Sequence, residues 1–153
     1  MTNFATHTYE TASDEGREVL DAVKAKFGFI PNLLGNMVEA PATARAYLEL
    51  GDLLGKTSFS PTEQQVILLA TSRFNECTYC MGAHSAVAQM QNVPADVVEA
   101  IRNDTAIADP KLEALRRFTT RVVEQRGWLS EDEKAEFIEA GYGNQQVLSL
   151  IHI

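Results

Sequence analysis

Two thiols and an imidazole carry the chemistry of this sequence: Cys77, Cys80 and His84, in Asn75-Glu76-Cys77-Thr78-Tyr79-Cys80-Met81-Gly82-Ala83-His84. On a helix, Cys77 and Cys80 are related as i,i+3 and Cys80 and His84 as i,i+4, so all three share one face. A thiol one turn from a second thiol and one turn from an imidazole has the parts of a peroxidase. The imidazole takes the proton of one thiol, and the thiolate attacks an O–O bond and becomes a sulfenic acid. The second thiol then condenses with it to a disulfide, which an external dithiol must reduce.

Spacing leaves the attacking cysteine open. If Asn75 caps a new helix, Cys77 sits in its first turn and gains most from the helix dipole. His84, however, is one turn from Cys80 and two from Cys77, which favours Cys80. Zinc is the rival reading of Cys-x2-Cys-x3-His. On one continuous helix the Cα atoms of Cys77 and His84 stand roughly 10.5 Å apart, a span that a tetrahedral zinc barely bridges. No fourth ligand is evident, so no metal or other cofactor is expected. Two further readings stay open: a thiol–disulfide oxidoreductase or redox sensor using the same pair, and a non-catalytic helical module with inert cysteines.

The elements that must position these residues read as helices. Ser60-Pro61-Thr62-Glu63 and Ser130-Glu131-Asp132-Glu133 are capping boxes, the first with Pro at the opening helical position. Asp109-Pro110, Val93-Pro94 and Ala40-Pro41 open three more segments, and a first helix around 14–27 stops at Gly28. With the cysteine segment these make an all-α bundle of about seven helices in one domain, 1–147. Gly51, Gly55, Gly127, Gly141 and Gly143 read as stops and turns, and Phe29-Ile30-Pro31-Asn32 as a turn. No convincing period-2 strand is present. The end, Leu148-Ser149-Leu150-Ile151-His152-Ile153, matches what a common transposase adapter encodes in frame. Residues 148–153 are therefore expected to be a non-native or truncated end, and His152 is given no role.

Composition limits the partners. The 153 residues include 13 Lys+Arg and 21 Asp+Glu, a net charge of −8. That disfavours nucleic acid and anionic membrane surfaces, both of which call for a basic face. No apolar run reaches the ~18 residues of a membrane span, and the N-terminus lacks a basic start and apolar core of a leader. Two cysteines are too few for a disulfide scaffold, so a reducing cytoplasm is expected.

The run from Ser60 to Gln89, SPTEQQVILLATSRFNECTYCMGAHSAVAQ, resembles the AhpD-like alkylhydroperoxidase branch of the carboxymuconolactone decarboxylase family. FGFIPNLLGNMVEAPATARAYLEL at 27–50 is similar to its lead-in helices, and 112–148 to the second half of its peroxidase-related members. The resemblance implies an all-α homo-oligomer, trimeric or hexameric, that reduces organic hydroperoxides without haem or metal. It implies that Cys80 is peroxidatic, Cys77 resolves, His84 belongs to a proton relay, and a protein dithiol or lipoyl partner supplies electrons. The family's relay glutamate, twelve residues before the first cysteine, is Gln65 here, which cannot act as a base. Glu76 and Glu63 are the substitutes, although Glu63 already serves a capping box. Tyr79 stands where some members carry a second histidine. The family's ring-opening and decarboxylating members act without the cysteine pair, so its presence points away from their chemistry. Met81, Met90, Phe74 and Trp128 are candidates to line an apolar pocket, though core packing is the simpler account of each.

Overall fold

A computed structural model describes residues 4–151, and side chains through Leu150. Among the described residues the chain is helical and without strands, as the punctuation of the sequence requires. It forms α1 (Asp14–Phe27), α2 (Asn32–Met37), α3 (Pro41–Leu54), α4 (Pro61–Phe74), α5 (Thr78–Met90), α6 (Ala95–Arg102), α7 (Pro110–Glu124), α8 (Glu131–Glu139) and α9 (Asn144–Ile151).

The caps explain most of these boundaries. Ser60 accepts from Glu63 N and the Glu63 carboxylate accepts from Ser60 N (2.8 Å), closing the capping box of α4; Ser130 and Glu133 do the same for α8. Asp109 Oδ1 accepts from Lys111 N and Leu112 N at the start of α7. Two helices exceed the expected seven. Pro31 does not make a turn but, with φ −62°, opens the six-residue α2. The second is α9, which includes 148–151 of the unusual end and buries Leu150; His152 and Ile153 lie outside the described residues. Gly51 is likewise no stop: α3 runs through it to Leu54.

The chain divides into two compact units, Met1–Leu53 and Leu54–Ile153. The first gathers Val19, Leu20, Val23, Leu34, Val38 and Ala44 into a small core. The second holds the cysteine motif. Its central element is α4, whose Val66, Ile67, Leu69 and Ala70 are buried and which packs against α5, α6 and α7. The far side of this core is a stack of rings. Phe118 and Phe137 lie parallel with centroids 4.0 Å apart, Phe137 and Tyr142 follow at 4.3 Å, and Phe59 meets Tyr142 at 6.1 Å. The stack joins α7, α8 and the segments leading into α4 and α9, so it fixes the frame on which α4 is held.

Replacing Phe137, buried in the middle of the stack, with alanine is expected to cost about 3–5 kcal/mol of unfolding free energy in a denaturant titration. Replacing its exposed neighbour Ile138 with alanine is expected to cost less than about 1 kcal/mol.

Candidate functional site

The site is made by the turn between α4 and α5. α4 ends at the cap residue Asn75, Glu76 takes a left-handed conformation (φ 53°), and the chain bonds back on itself: Glu76 N donates to Arg73 O (3.1 Å) and Cys77 N to Ser72 O (3.0 Å). These are the two bonds of a Schellman turn, with Glu76 in the place usually given to glycine. The turn corrects the expectation that Asn75 caps the following helix. Asn75 closes α4, and Cys77 itself is the N-cap of α5, with its sulfur accepting from Cys80 N at 3.2 Å.

Cys77 and Cys80 are joined as a disulfide with Cα atoms 5.3 Å apart. Both are half-buried. The cap position sets Cys77 Sγ against the N-terminal amides of α5, where the helix dipole stabilises a thiolate. Cys80 sits in the first turn and His84 one turn on, half-buried. Burial holds the His84 imidazole below its ordinary pKa. Its Nδ1 is buried and has no hydrogen-bond partner among the described residues.

The two candidate relay glutamates have different surroundings. Glu76 is exposed and lines a cavity of about 240 Å³ beside the turn, with Arg73, Phe74, Asp104, Arg116 and Thr120 among its walls. Glu63 lies in the first turn of α4, roughly 16 Å along the helix axis from Phe74 at its other end. Its carboxylate caps Ser60 and stands 3.7 Å from Lys111 Nζ, which lies 4.7 Å over the Tyr142 ring. Burial would raise the Glu63 carboxyl, but the Ser60 bonds, the Tyr142 hydroxyl and Lys111 outweigh it and hold it below the usual carboxylate value. Burial and Glu63 together push the Tyr142 phenol up. Glu63 is thus engaged in a structural cluster at the opposite end of α4 from the thiols.

Gln65, at the relay position of the family, is 3% exposed and donates from Nε2 to Gln91 Oε1 (3.1 Å) at the end of α5. Of the four residues named for an apolar pocket, Met81 packs against the core and Phe74 lines the cavity beside Glu76. Met90 and Trp128 do neither, at 80% and 86% exposed. What sequence reasoning missed is the cavity's ionic wall. Asp104 stands between Arg73 (3.9 Å) and Arg116 (3.6 Å), and Arg116 also pairs with Glu113 at 2.7 Å. Neither arginine is marked by any motif, because the loop carrying Asp104 brings them together.

An all-helical domain that sets a Cys-x-x-Cys pair at a helix N-terminus with a histidine one turn on defines the class of protein. The profile of the carboxymuconolactone decarboxylase family matches residues 41–121, and the chain belongs to that family. Two solved structures share its fold. One, from Ralstonia eutropha JMP134, is described as an alkylhydroperoxidase AhpD core and an uncharacterized peroxidase-related protein. It superposes with a TM-score of 0.82 at 22% identity, over 97% of this chain and 80% of that one. The other, an uncharacterized peroxidase-related protein from Silicibacter sp. TM1040, gives a TM-score of 0.77 at 19% identity, over 99% of this chain and 82% of that one. No curated protein matches the sequence significantly. Among the described residues, no helix is long and apolar enough to cross a membrane.

Because burial lowers the folded-state pKa of His84, the unfolded chain binds the extra proton first as pH falls. The contribution of His84 to stability is therefore complete above an unfolded value of about 6.5 and is lost as pH drops from there through the folded pKa. Two-dimensional NMR of the imidazole should show His84 titrating below about 6.5, and His84→Gln should flatten that part of the stability–pH curve. A folded-state midpoint above the unfolded one would refute this.

Proposed function

We propose that the protein is a cysteine-dependent peroxidase that reduces organic hydroperoxides through the Cys77–Cys80 pair. The observation that carries the reading is the thiol pair itself, held as a disulfide at a helix N-terminus with an imidazole one turn beyond, in a chain whose fold is shared by proteins described as peroxidase-related.

In this reading Cys80 attacks. His84, neutral at pH 7 because burial disfavours its charged form, takes the Cys80 proton. The thiolate forms a bond to one peroxide oxygen, the O–O bond breaks, and the alkoxide leaves as the alcohol with the proton from His84. Cys80 is now a sulfenic acid. Cys77, one helical turn away, attacks its sulfur, an S–S bond forms, and water leaves. A dithiol protein or lipoyl-type partner then reduces the disulfide, itself becoming oxidised. The sum is hydroperoxide plus dithiol giving alcohol, water and disulfide. The resolving pair needs no cofactor or metal, and a reducing cytoplasm would keep it supplied. Assembly as a trimer or hexamer belongs to the same proposal.

One observation favours a second reading. Cys77 Sγ, not Cys80 Sγ, receives the helix N-terminal amide (3.2 Å from Cys80 N), which is the arrangement of a thiol–disulfide exchange cysteine.

Intact mass and free-thiol counts after one equivalent of cumene hydroperoxide separate the two. The reduced wild type is expected to lose both thiols, and Cys77→Ser to accumulate a sulfenic acid that Cys80→Ser does not form. Trapping only in Cys80→Ser would reverse the roles of the cysteines. If the wild type keeps both thiols over hours, the peroxidase reading fails.

A further inference from the structure

The cavity of about 240 Å³ beside the α4–α5 turn lies wholly within the second unit. None of Cys77, Cys80 and His84 lines it, so it is a place apart from the thiols. Part of its wall is apolar: Ala70 and Phe74 of α4 and Ile101 of α6, of which Ala70 and Ile101 are buried. Two guanidinium groups meet that wall, Arg73 of α4 and Arg116 of α7.

The donors of the two arginines are only partly used. The Arg116 side chain is 19% exposed. Its Nε and Nη2 donate to the Glu113 carboxylate at 2.8 and 2.7 Å, and Glu113 also accepts from Ile107 N, so this pair belongs to the frame. Arg116 Nη1 is left over. It faces Asp104 at 3.6 Å, and Arg73 Nη2 faces the same carboxylate at 3.9 Å. Both distances are too long for hydrogen bonds. Asp104 stands on the loop between α6 and α7, its side chain 62% exposed and its backbone left-handed (φ 54°). It balances the charge of the two guanidinium groups without occupying their donors. Glu76, the other acid of the wall, is exposed, where water and salt screen it.

Unused guanidinium donors beside an apolar wall recognise one kind of molecule, a carboxylate on an apolar body, because the planar fork matches the two carboxylate oxygens. The volume falls below the roughly 300–1,000 Å³ of pockets for drug-sized ligands, so the body is small, about one ring. We infer that this cavity is a binding site for a small organic carboxylate, held by Arg116 Nη1 and the Arg73 guanidinium, with Asp104 as the resident anion that the ligand displaces. The inference does not rest on the peroxidase reading.

Arginine Nε–H correlation spectra of the full chain, titrated with benzoate and with the neutral control benzamide, test it. Benzoate is expected to shift the Arg73 and Arg116 signals saturably, with a dissociation constant of order 1 mM for its roughly nine non-hydrogen atoms, and benzamide to leave them in place. Arg73→Gln, at a half-exposed side chain, is expected to weaken benzoate about tenfold. Asp104→Asn keeps the size of the side chain and tolerates the left-handed backbone. It is expected to tighten benzoate about fivefold, because the competing negative charge is gone. A cluster that serves structure alone would lose thermal stability in Asp104→Asn and gain no affinity. The absence of a saturable benzoate shift, equal shifts with benzamide, unchanged affinity in Arg73→Gln, or unchanged or weaker binding in Asp104→Asn would each overturn the inference.

Discussion

The reversal of the chain at Asn75-Glu76-Cys77 is the constraint on which the site depends. Two backbone bonds, Glu76 to Arg73 and Cys77 to Ser72, end α4 and start α5 within three residues. Because the turn is so short, α5 must run back along α4, and Cys77 must become its N-cap. The positive end of the helix dipole then falls on the sulfur, and the i,i+3 and i,i+4 relations of Cys80 and His84 follow from helix geometry alone. The left-handed conformation of Glu76 costs of order 1 kcal/mol for a residue with a Cβ. The rest of the unit holds it in place.

What does the holding is α4. It is buried along Val66, Ile67, Leu69 and Ala70 and flanked by α5, α6 and α7. Its N-terminus is secured by the Ser60–Glu63 box and by the Glu63, Lys111 and Tyr142 cluster, and its frame by the stacked rings of Phe118, Phe137 and Tyr142. Glu63, one of the two substitutes for the missing relay glutamate, is used for structure at the far end of the helix. The relay position itself carries an uncharged amide. In the proposed reading the chemistry rests on Cys77, Cys80 and His84, and burial holds the His84 imidazole below its ordinary pKa.

Much of this was legible in the sequence by itself. Side-chain oxygens at Ser60, Asp109 and Ser130, with the prolines beside them, determine where helices begin, because those caps are bonds between residues two or three apart. The same locality makes Cys77, Cys80 and His84 readable as one face. Where the local signal misled, the reason was equally local. Pro31 was a turn residue by composition and a helix opener by its φ, and Gly51 is tolerated within α3. Only the tertiary structure decided the matters that depend on residues far apart in the chain. It assigned Glu63 to Lys111 and Tyr142, brought Arg73 and Arg116 to Asp104, and set Gln65 against Gln91. Hydrogen bonds and ion pairs act over a few ångströms, so which distant side chains meet is fixed by how helices pack, and the sequence alone does not carry that distance.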